Sequence, residues 1–246
     1  VKQPYGIKIG LLPILIGIFF KATEASCAFY NKDEQNRESL ITEFDQKIAE
    51  RMYHMPETLK IMFVKIEGEK QIILDEFKSY VEKNFLNNQP IENPTPLYVL
   101  KPIVVKAYKL PSYSRKTRNF KDQRVLVLRD ELLSTQNPYE LLYKKIPEIC
   151  GTEEPQKLIK EFDKIYSELN KVYGRLINEF KTKIIDVFQS DPNISDINFD
   201  TIKSWAKKIG KQDPFSSKID ELDDEKWLEQ VISYAASKPA NEWNDK

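Results

Sequence analysis

The feature that most constrains the fold is a run of apolar residues, spaced three or four apart, between residues 153 and 189. These residues are Leu158, Phe162, Ile165, Leu169, Val172, Leu176, Phe180 and Ile184. Such spacing places apolar side chains on one face of an α-helix. Glu153 and Glu154 near its start suit the positive end of the helix dipole. The run therefore predicts one long amphipathic helix whose apolar face must pack against other elements.

The composition agrees with a helical, globular protein. The chain has 246 residues, of which 41% are apolar and 31% charged, and only seven are glycine. This length accommodates one large or two modest domains. Scarce glycine disfavours folds whose function depends on glycine-rich turns. We therefore expect a mainly α, soluble protein.

A proline- and asparagine-rich stretch divides the chain. Residues 87–96 contain three prolines and three asparagines, a composition typical of an extended connector. We predict a linker at 89–96, which joins a small α+β unit at 1–88 to an all-helical domain at 97–246.

The first unit is predicted to mix helices and short strands. Helices are predicted at 7–24, 43–53 and 69–86, and strands at 26–30, 39–42 and 59–66. In the second helix Phe44, Ile48 and Met52 form one stripe; in the third, Ile72, Ile73, Phe77, Tyr80 and Val81 face inward. The first two strands form a hairpin around a polar turn at 31–37. This order of elements suits a winged-helix-like unit, and it also suits other small α+β domains.

The helical domain is predicted to contain four helices besides the long one. They lie at 98–110, 120–134, 199–209 and 223–237. Pro102 is expected in the first turn of its helix, where a missing N–H is tolerated. In the next helix Val125, Leu128 and Leu132 recur at helical spacing.

The apolar run from Ile7 to Phe20 is too short to span a membrane and contains Lys8 and Pro13. A buried core helix is therefore expected, with no membrane partner. The two cysteines, Cys27 and Cys150, show no disulfide pattern, which favours a reducing compartment and a cytoplasmic location. The chain begins at Val1 without a start methionine or a signal peptide, and we expect a piece of a longer polypeptide.

No arrangement of residues predicts catalysis, a metal or a cofactor. The sequence from Gly6 to Gly10 lacks the preceding strand and the Lys-Ser/Thr pair of a phosphate loop, and Gly210-Lys211 lacks the spaced glycine. His54 is the sole histidine, too few for a triad or a zinc site. The acidic residues 220–225 lack calcium-loop spacing and are better explained as a helix start, with Asp223 as the cap. We predict that this chain has no catalytic residue.

The strongest functional signal is a basic segment, which we define as residues 114–124. It carries five cations, Arg115, Lys116, Arg118, Lys121 and Arg124, and a single acid, Asp122. Tyr113 and Phe120 lie beside or within it, and basic residues interleaved with aromatics suit a partner that bears phosphates. If the segment is helical, Arg115 and Arg118 share a face that Lys121 and Arg124 extend. The five cations are therefore our candidate phosphate- or nucleic-acid-binding residues.

The same charges also fit an ordinary solvated or internally paired surface. Residues 97–130 have a net charge of +7, whereas residues 213–226 have a net charge of −4, in a chain whose formal charge is zero. The two regions could pair within one molecule or between copies, or the basic one could bind nucleic-acid phosphates.

Several stretches resemble the C-terminal portion of large bacterial ATPases encoded near phage-defence and restriction genes. They are residues 4–16, 28–30, 110–119, 127–133 and 239–243. The resemblance implies that the ATP-hydrolysing domain lies upstream, outside this chain. It also implies a relay, assembly or nucleic-acid-sensing role for the part in hand.

Together these observations predict a non-catalytic module of a larger defence-type ATPase. The basic segment would hold DNA or RNA backbone or another anionic partner, and no cofactor is expected in this chain. The upstream ATPase domain or other subunits are the expected protein partners. The alternative is a helical domain that only docks onto such proteins, through the helix at 153–189 and its neighbours, without nucleic-acid contact.

Overall fold

The computed structural model describes residues 9–23, 27–33, 35, 38–41, 45–63, 66–135, 137–189, 198–210, 223–243 and 245. The helices are α1 (Leu12–Thr23), α2 (Gln46–His54), α3 (Glu69–Phe85), α4 (Pro96–Tyr108), α5 (Ser112–Lys116), α6 (Gln123–Ser134), α7 (Pro138–Glu140), α8 (Ile146–Cys150), α9 (Pro155–Gln189), α10 (Phe199–Gly210) and α11 (Asp224–Ala235). The strands are β1 (Cys27–Lys32), β2 (Glu38–Leu40) and β3 (Leu59–Phe63). The predicted class, mainly α with a small α+β part near the N-terminus, is confirmed.

The described chain groups into two compact units, each built from two stretches. The first unit contains residues 1–106 and 130–162, and the second contains residues 107–129 and 163–246. The division predicted from the sequence, 1–88 and 97–246 with a linker between them, stays a prediction, as does the winged-helix relationship.

A three-stranded antiparallel sheet, ordered β2-β1-β3, lies in the first unit. Tyr30 pairs with Leu40 on one side of the central strand, and Cys27 pairs with Phe63 on the other. The predicted hairpin is therefore present. Its turn lies partly outside the described residues, as do Phe44 and the side chain of Met52.

Both faces of β1 are covered. Cys27 and Phe29 pack with Phe20 of α1 on one face, where the rings of Phe20 and Phe29 lie 4.6 Å apart. Ala28 and Tyr30 pack with Tyr139 on the other face. This accounts for four consecutive buried residues where a strand open to solvent would alternate.

The rest of the first unit's core comes from helices. On α3, Ile73, Phe77 and Val81 are buried as predicted, whereas Ile72 is 51% exposed, so the prediction was wrong for that residue. Phe77 packs edge-on against Phe162 of α9, with ring centroids 5.1 Å apart. Ile72 and Ile73 differ in burial because successive residues of a helix are rotated by about 100° around its axis.

Two expectations for the first unit were wrong. The helix predicted as buried core, α1, is apolar but largely exposed; Leu11, just before it, and Leu12, Ile14, Leu15, Ile18 and Phe19 within it are 38% to 60% exposed. Pro102 lies in the interior of α4, because the helix begins at Pro96 and not at residue 98.

The loop between α3 and α4 is held to α3 itself. Asn87 and Asn88 both have positive φ angles, the left-handed conformation that asparagine tolerates after a helix. The N–H of Ile91 donates to Oε1 of Glu82, at 2.7 Å. The N–H of Tyr98 donates to Oγ1 of Thr95, at 3.3 Å, at the start of α4.

The segment at 138–150, for which the sequence predicted no helix or strand, is helical. Asn137 caps α7 by accepting from the N–H groups of Tyr139 and Glu140, and the chain continues through a π-helical stretch, Leu141–Lys145, into α8. Gly151 ends α8 in the left-handed conformation, with φ of 71°. An L-residue would pay a steric cost there.

The second unit is entirely helical in its described residues. Its core includes Val125 and Leu128 of α6, and Leu169 of α9, all fully buried. Phe199 of α10 packs edge-on against Trp227 of α11, with centroids 5.5 Å apart. The predicted long helix is confirmed as the 35 residues of α9.

Candidate phosphate-binding site

The basic segment lies in the second unit and does not form one helix. Helix α5 ends at Lys116, and its C-cap residue Thr117 is extended, with φ of −61° and ψ of 145°. Helix α6 begins only at Gln123. The shared helical face considered for Arg115 and Arg118 is therefore absent, because the helix ends between them.

The five predicted cations differ in their surroundings. Arg115, Lys116, Arg118 and Lys121 are exposed. Within the described part of the chain, the side chains of Arg115, Arg118 and Lys121 make no hydrogen bond or ion pair. These three guanidinium and ammonium groups are exposed on the described surface of the second unit.

Arg124 is engaged locally. Its Nε and Nη2 donate to Oδ1 and Oδ2 of Asp122, at 3.1 and 2.8 Å. The hydrogen bond from Arg124 lowers the pKa of the Asp122 carboxyl below its ordinary value. Because this fork already matches a carboxylate, Arg124 contributes less positive field at the surface than the other four cations.

The aromatic residues of the segment face inward. Tyr113 and Phe120 are 7% and 5% exposed, and Ser114 and Thr117 are buried as well. The exposed cations therefore alternate with residues that anchor the loop. Because a base can stack only on an accessible ring, the buried rings of Tyr113 and Phe120 are not available for stacking.

A buried arginine, Arg129, contacts the loop at 117–120. Arg129 of α6 is 4% exposed, and its Nη1 donates a hydrogen bond to the backbone carbonyl oxygen of Thr117. Its guanidinium also lies 5.7 Å from the centroid of the Phe120 ring, within the range of a cation–π interaction. Arg129 therefore fixes both ends of the loop at 117–120.

The segment also contacts residues near the end of the chain, which we call the closing segment (residues 239–243 and 245). Oγ of Ser112 and Nζ of Lys116 both donate to the carbonyl oxygen of Asn241, at 2.7 and 2.9 Å. The carboxylate of Asp245 accepts from Oγ1 of Thr117 at 2.5 Å and from the N–H of Arg118 at 2.6 Å. The closing segment therefore lies directly against the basic segment.

Trp243 anchors the closing segment. Its side chain is buried, its ring centroid lies 6.4 Å from that of Tyr173 and 6.3 Å from that of Phe180, and its Nε1 donates to the carbonyl oxygen of Lys238 at 3.0 Å. Beside it lies a cavity of ≈ 360 Å³, whose lining includes Tyr113, Asn119 and Asp245.

The other residues that the sequence offered for catalysis or metal binding lie in positions that a structural role explains. His54 is the exposed last residue of α2, and Cys27 and Cys150 are buried cysteines that are not joined in a disulfide. Asp223 caps α11 by accepting from the N–H of Lys226 at 2.9 Å, as predicted. Asp224 accepts from Nζ of Lys203, at 2.9 Å, and from Nζ of Lys181, at 3.3 Å.

Residues 211–222 lie outside the described residues, and they include Lys211 and the first half of the acidic cluster at 220–225. Residues 6–8, the first part of the sequence from Gly6 to Gly10, also lie outside them. Among the residues that the structure describes, no group of three or more His, Cys, Asp or Glu side chains could hold a metal ion. No described helix combines the length and the apolar composition that a membrane crossing needs.

Thr117 and Asp245 were not among the predicted site residues. They are 128 positions apart, and nothing in the local sequence signals their pairing. In comparisons with known proteins, the chain matches no family model, no curated protein and no solved structure.

Proposed function

We propose that the chain binds the phosphate backbone of nucleic acid, without sequence specificity, through the basic segment. The observation that carries this proposal is the set of exposed cations, Arg115, Lys116, Arg118 and Lys121, which lie on the end of α5 and on the loop after it, beside buried residues. Exposed cations beside anchored residues attract a polyanion, whose binding releases counterions.

Buried aromatics narrow the proposal to the backbone. Because Tyr113 and Phe120 are buried, the segment offers no stacking platform for bases. The contacts available are charge and hydrogen bonds to phosphate oxygens, which position a nucleic acid but do not read its sequence. Such contacts can form with duplex and with single-stranded nucleic acid.

The wider context rests on the sequence resemblance. In that context the chain is a non-catalytic, cytoplasmic module of a larger defence-type ATPase, whose ATP-hydrolysing domain belongs to another part of the protein. Nucleic-acid binding by this module would then report the presence of DNA or RNA to that domain.

The test is a salt titration of binding to a generic duplex and a generic single strand. Four phosphate contacts give a slope of log K against log salt of about −3 to −4. Replacing Arg115, Lys116 and Arg118 together by Glu should abolish binding. A matched control is the triple replacement of Lys160, Lys171 and Lys183 by Glu, which reverses the same number of charges at exposed positions of α9.

Lys116 also bonds to Asn241, so a second variant, Arg115→Glu with Arg118→Glu, leaves that contact intact. Circular dichroism should show wild-type helix content for both variants. If the triple variant binds nucleic acid as the wild type does, the basic segment is not the site and the proposal fails.

A second candidate function is assembly with other proteins, without nucleic-acid contact. One observation favours it: Leu11 and five apolar side chains of α1, those of Leu12, Ile14, Leu15, Ile18 and Phe19, are 38–60% exposed, and large exposed apolar surfaces commonly mark interaction sites. This candidate predicts that replacing the cations of the basic segment leaves association with the upstream ATPase domain unchanged.

A further inference from the structure

The carboxylate of Asp245 is held as a bound anion would be. Each of its oxygens accepts one short hydrogen bond, Oδ1 from the hydroxyl of Thr117 at 2.5 Å and Oδ2 from the N–H of Arg118 at 2.6 Å. The O–H···O distance lies in the range of a charge-assisted hydrogen bond to a carboxylate. Two donors on adjacent residues therefore form a fork that matches two oxygens of one anion.

The fork is built into the fold. Thr117 is fully buried, its carbonyl oxygen is fixed by Arg129, and its hydroxyl also accepts from the N–H of Asn119 at 3.1 Å. Accepting that bond leaves the hydroxyl's single proton for an anion. The donors are therefore oriented whichever anion occupies the site.

The charges around the fork exceed what Asp245 neutralises. Arg115, Lys116 and Arg118 lie on or next to it in the chain and are exposed, against the single negative charge of Asp245. A phosphodiester group presents two non-bridging oxygens that share one negative charge, the same pattern of acceptors as a carboxylate. The site therefore suits a backbone phosphate in both shape and charge.

We infer that the hydroxyl of Thr117 and the N–H of Arg118 form a phosphate subsite, and that Asp245 occupies this subsite as an internal competitor. The inference rests on the proposed nucleic-acid binding and assigns it a specific pair of donors. A phosphate enters when the carboxylate of Asp245 leaves the two donors, so the affinity of the basic segment is limited by displacement of Asp245.

The test compares the affinity of wild type, Asp245→Ala and Glu242→Gln for a single-stranded oligonucleotide over a range of salt. Glu242 is an exposed acid of the same segment, and its replacement removes one negative charge without touching the fork. Asp245→Ala should bind about ten times more tightly than Glu242→Gln, and its salt slope should steepen by about 0.7, the value for one additional phosphate on a single strand.

A second variant separates the subsite from a general electrostatic effect. Thr117→Val in the Asp245→Ala background removes the hydroxyl donor and keeps the side-chain shape, so the gain should be lost. In the single variant Asp245→Ala, inorganic phosphate should shift the amide resonance of Arg118 in a ¹⁵N–¹H spectrum, and in the Thr117→Val background it should shift it less. Thermal unfolding of each variant checks that the helical unit is intact.

The outcomes distinguish the two proposals. If wild type binds with a steep salt dependence and Asp245→Ala binds no better than Glu242→Gln, the subsite inference is overturned and the proposed function stands. If neither wild type nor Asp245→Ala binds the oligonucleotide, both are overturned. If inorganic phosphate leaves the Arg118 amide of Asp245→Ala unchanged, the fork is not a phosphate subsite.

Discussion

The guanidinium of Arg129 donates to the carbonyl oxygen of Thr117 from a position that is almost fully buried. This hydrogen bond connects helix α6 to the point where α5 ends. It holds a loop of exposed cations by a cation that is itself withdrawn from solvent, so the chain uses arginine in two different roles within fifteen residues.

Replacing Arg129 with Met should therefore destabilise the second unit. The substitution leaves the buried carbonyl of Thr117 without its donor, at a cost of about 1–3 kcal/mol. The free energy of unfolding, measured by urea denaturation, reports the loss. Arg124→Met is the matched control: it breaks a half-exposed pair with Asp122, for which about 0–1 kcal/mol is typical. Equal losses in the two variants would contradict the supporting role of Arg129.

Alkaline pH should unfold the protein through its buried tyrosines. Burial raises the pKa of Tyr139 and of Tyr166 to about 12, whereas the unfolded value is about 10. Below pH 10 both residues are neutral in both states and add no pH dependence. Between pH 10 and 12 the unfolded chain releases these protons and the folded one keeps them, so stability falls by about 1.4 kcal/mol per pH unit for each tyrosine.

Urea denaturation at pH 9, 10 and 11 measures this effect. Tyr139→Phe and Tyr166→Phe should each flatten the decline above pH 10, while the difference from wild type stays constant at and below pH 9. A decline with the same slope in wild type and both variants would show that these side chains are not the source.

Asp224 connects three helices of the second unit. Its carboxylate, on α11, accepts from Lys203 of α10 and Lys181 of α9. The hydrogen bond from Lys203 lowers the pKa of Asp224 below its ordinary value. A depressed pKa adds stability above pH 3.8 that is lost as the pH falls through the folded value.

Asp224→Asn should consequently lower the free energy of unfolding at pH 7 by about 0.5–1 kcal/mol, and the difference from wild type should shrink in acid. Glu225→Gln is a matched control because it removes an exposed acid from the same helical turn, with the same effect on the helix dipole. An equal loss from Glu225→Gln would assign the effect to the dipole and not to the lysines.

Periodic patterns predicted the elements that bury a continuous stripe. The long run that includes Leu158 and Leu169 became α9, and Val125, Leu128 and Leu132 lie on the buried face of α6. In such elements the spacing of apolar residues and the direction of burial are set by the same helical geometry. The start of α7 was not predicted, although Asn137-Pro138 is a typical helix-start pair and could have indicated it.

Patterns failed where the answer depended on distant residues. The apolar composition of α1 shows how much surface could be buried, but not whether another element is available to cover it. Pro102 was expected at the start of its helix because local rules disfavour an interior proline. The helix nevertheless begins six residues earlier, at Pro96.

The candidate site was also predictable from the sequence only in part. Charge density located the basic segment, and the exposure of four of its cations agrees with a charged loop. The end of α5 at Thr117 and the contact with Asp245 could not be predicted, because the carboxylate is supplied by a residue 128 positions away.

That separation has a consequence for synthesis on the ribosome. The chain emerges at about 5–20 residues per second, so Thr117 and Arg118 wait roughly 6–25 s before Asp245 exists to meet them. During that interval the two donors have been translated but the carboxylate that binds them has not. This contact of the second unit can therefore form only when synthesis has reached residue 245.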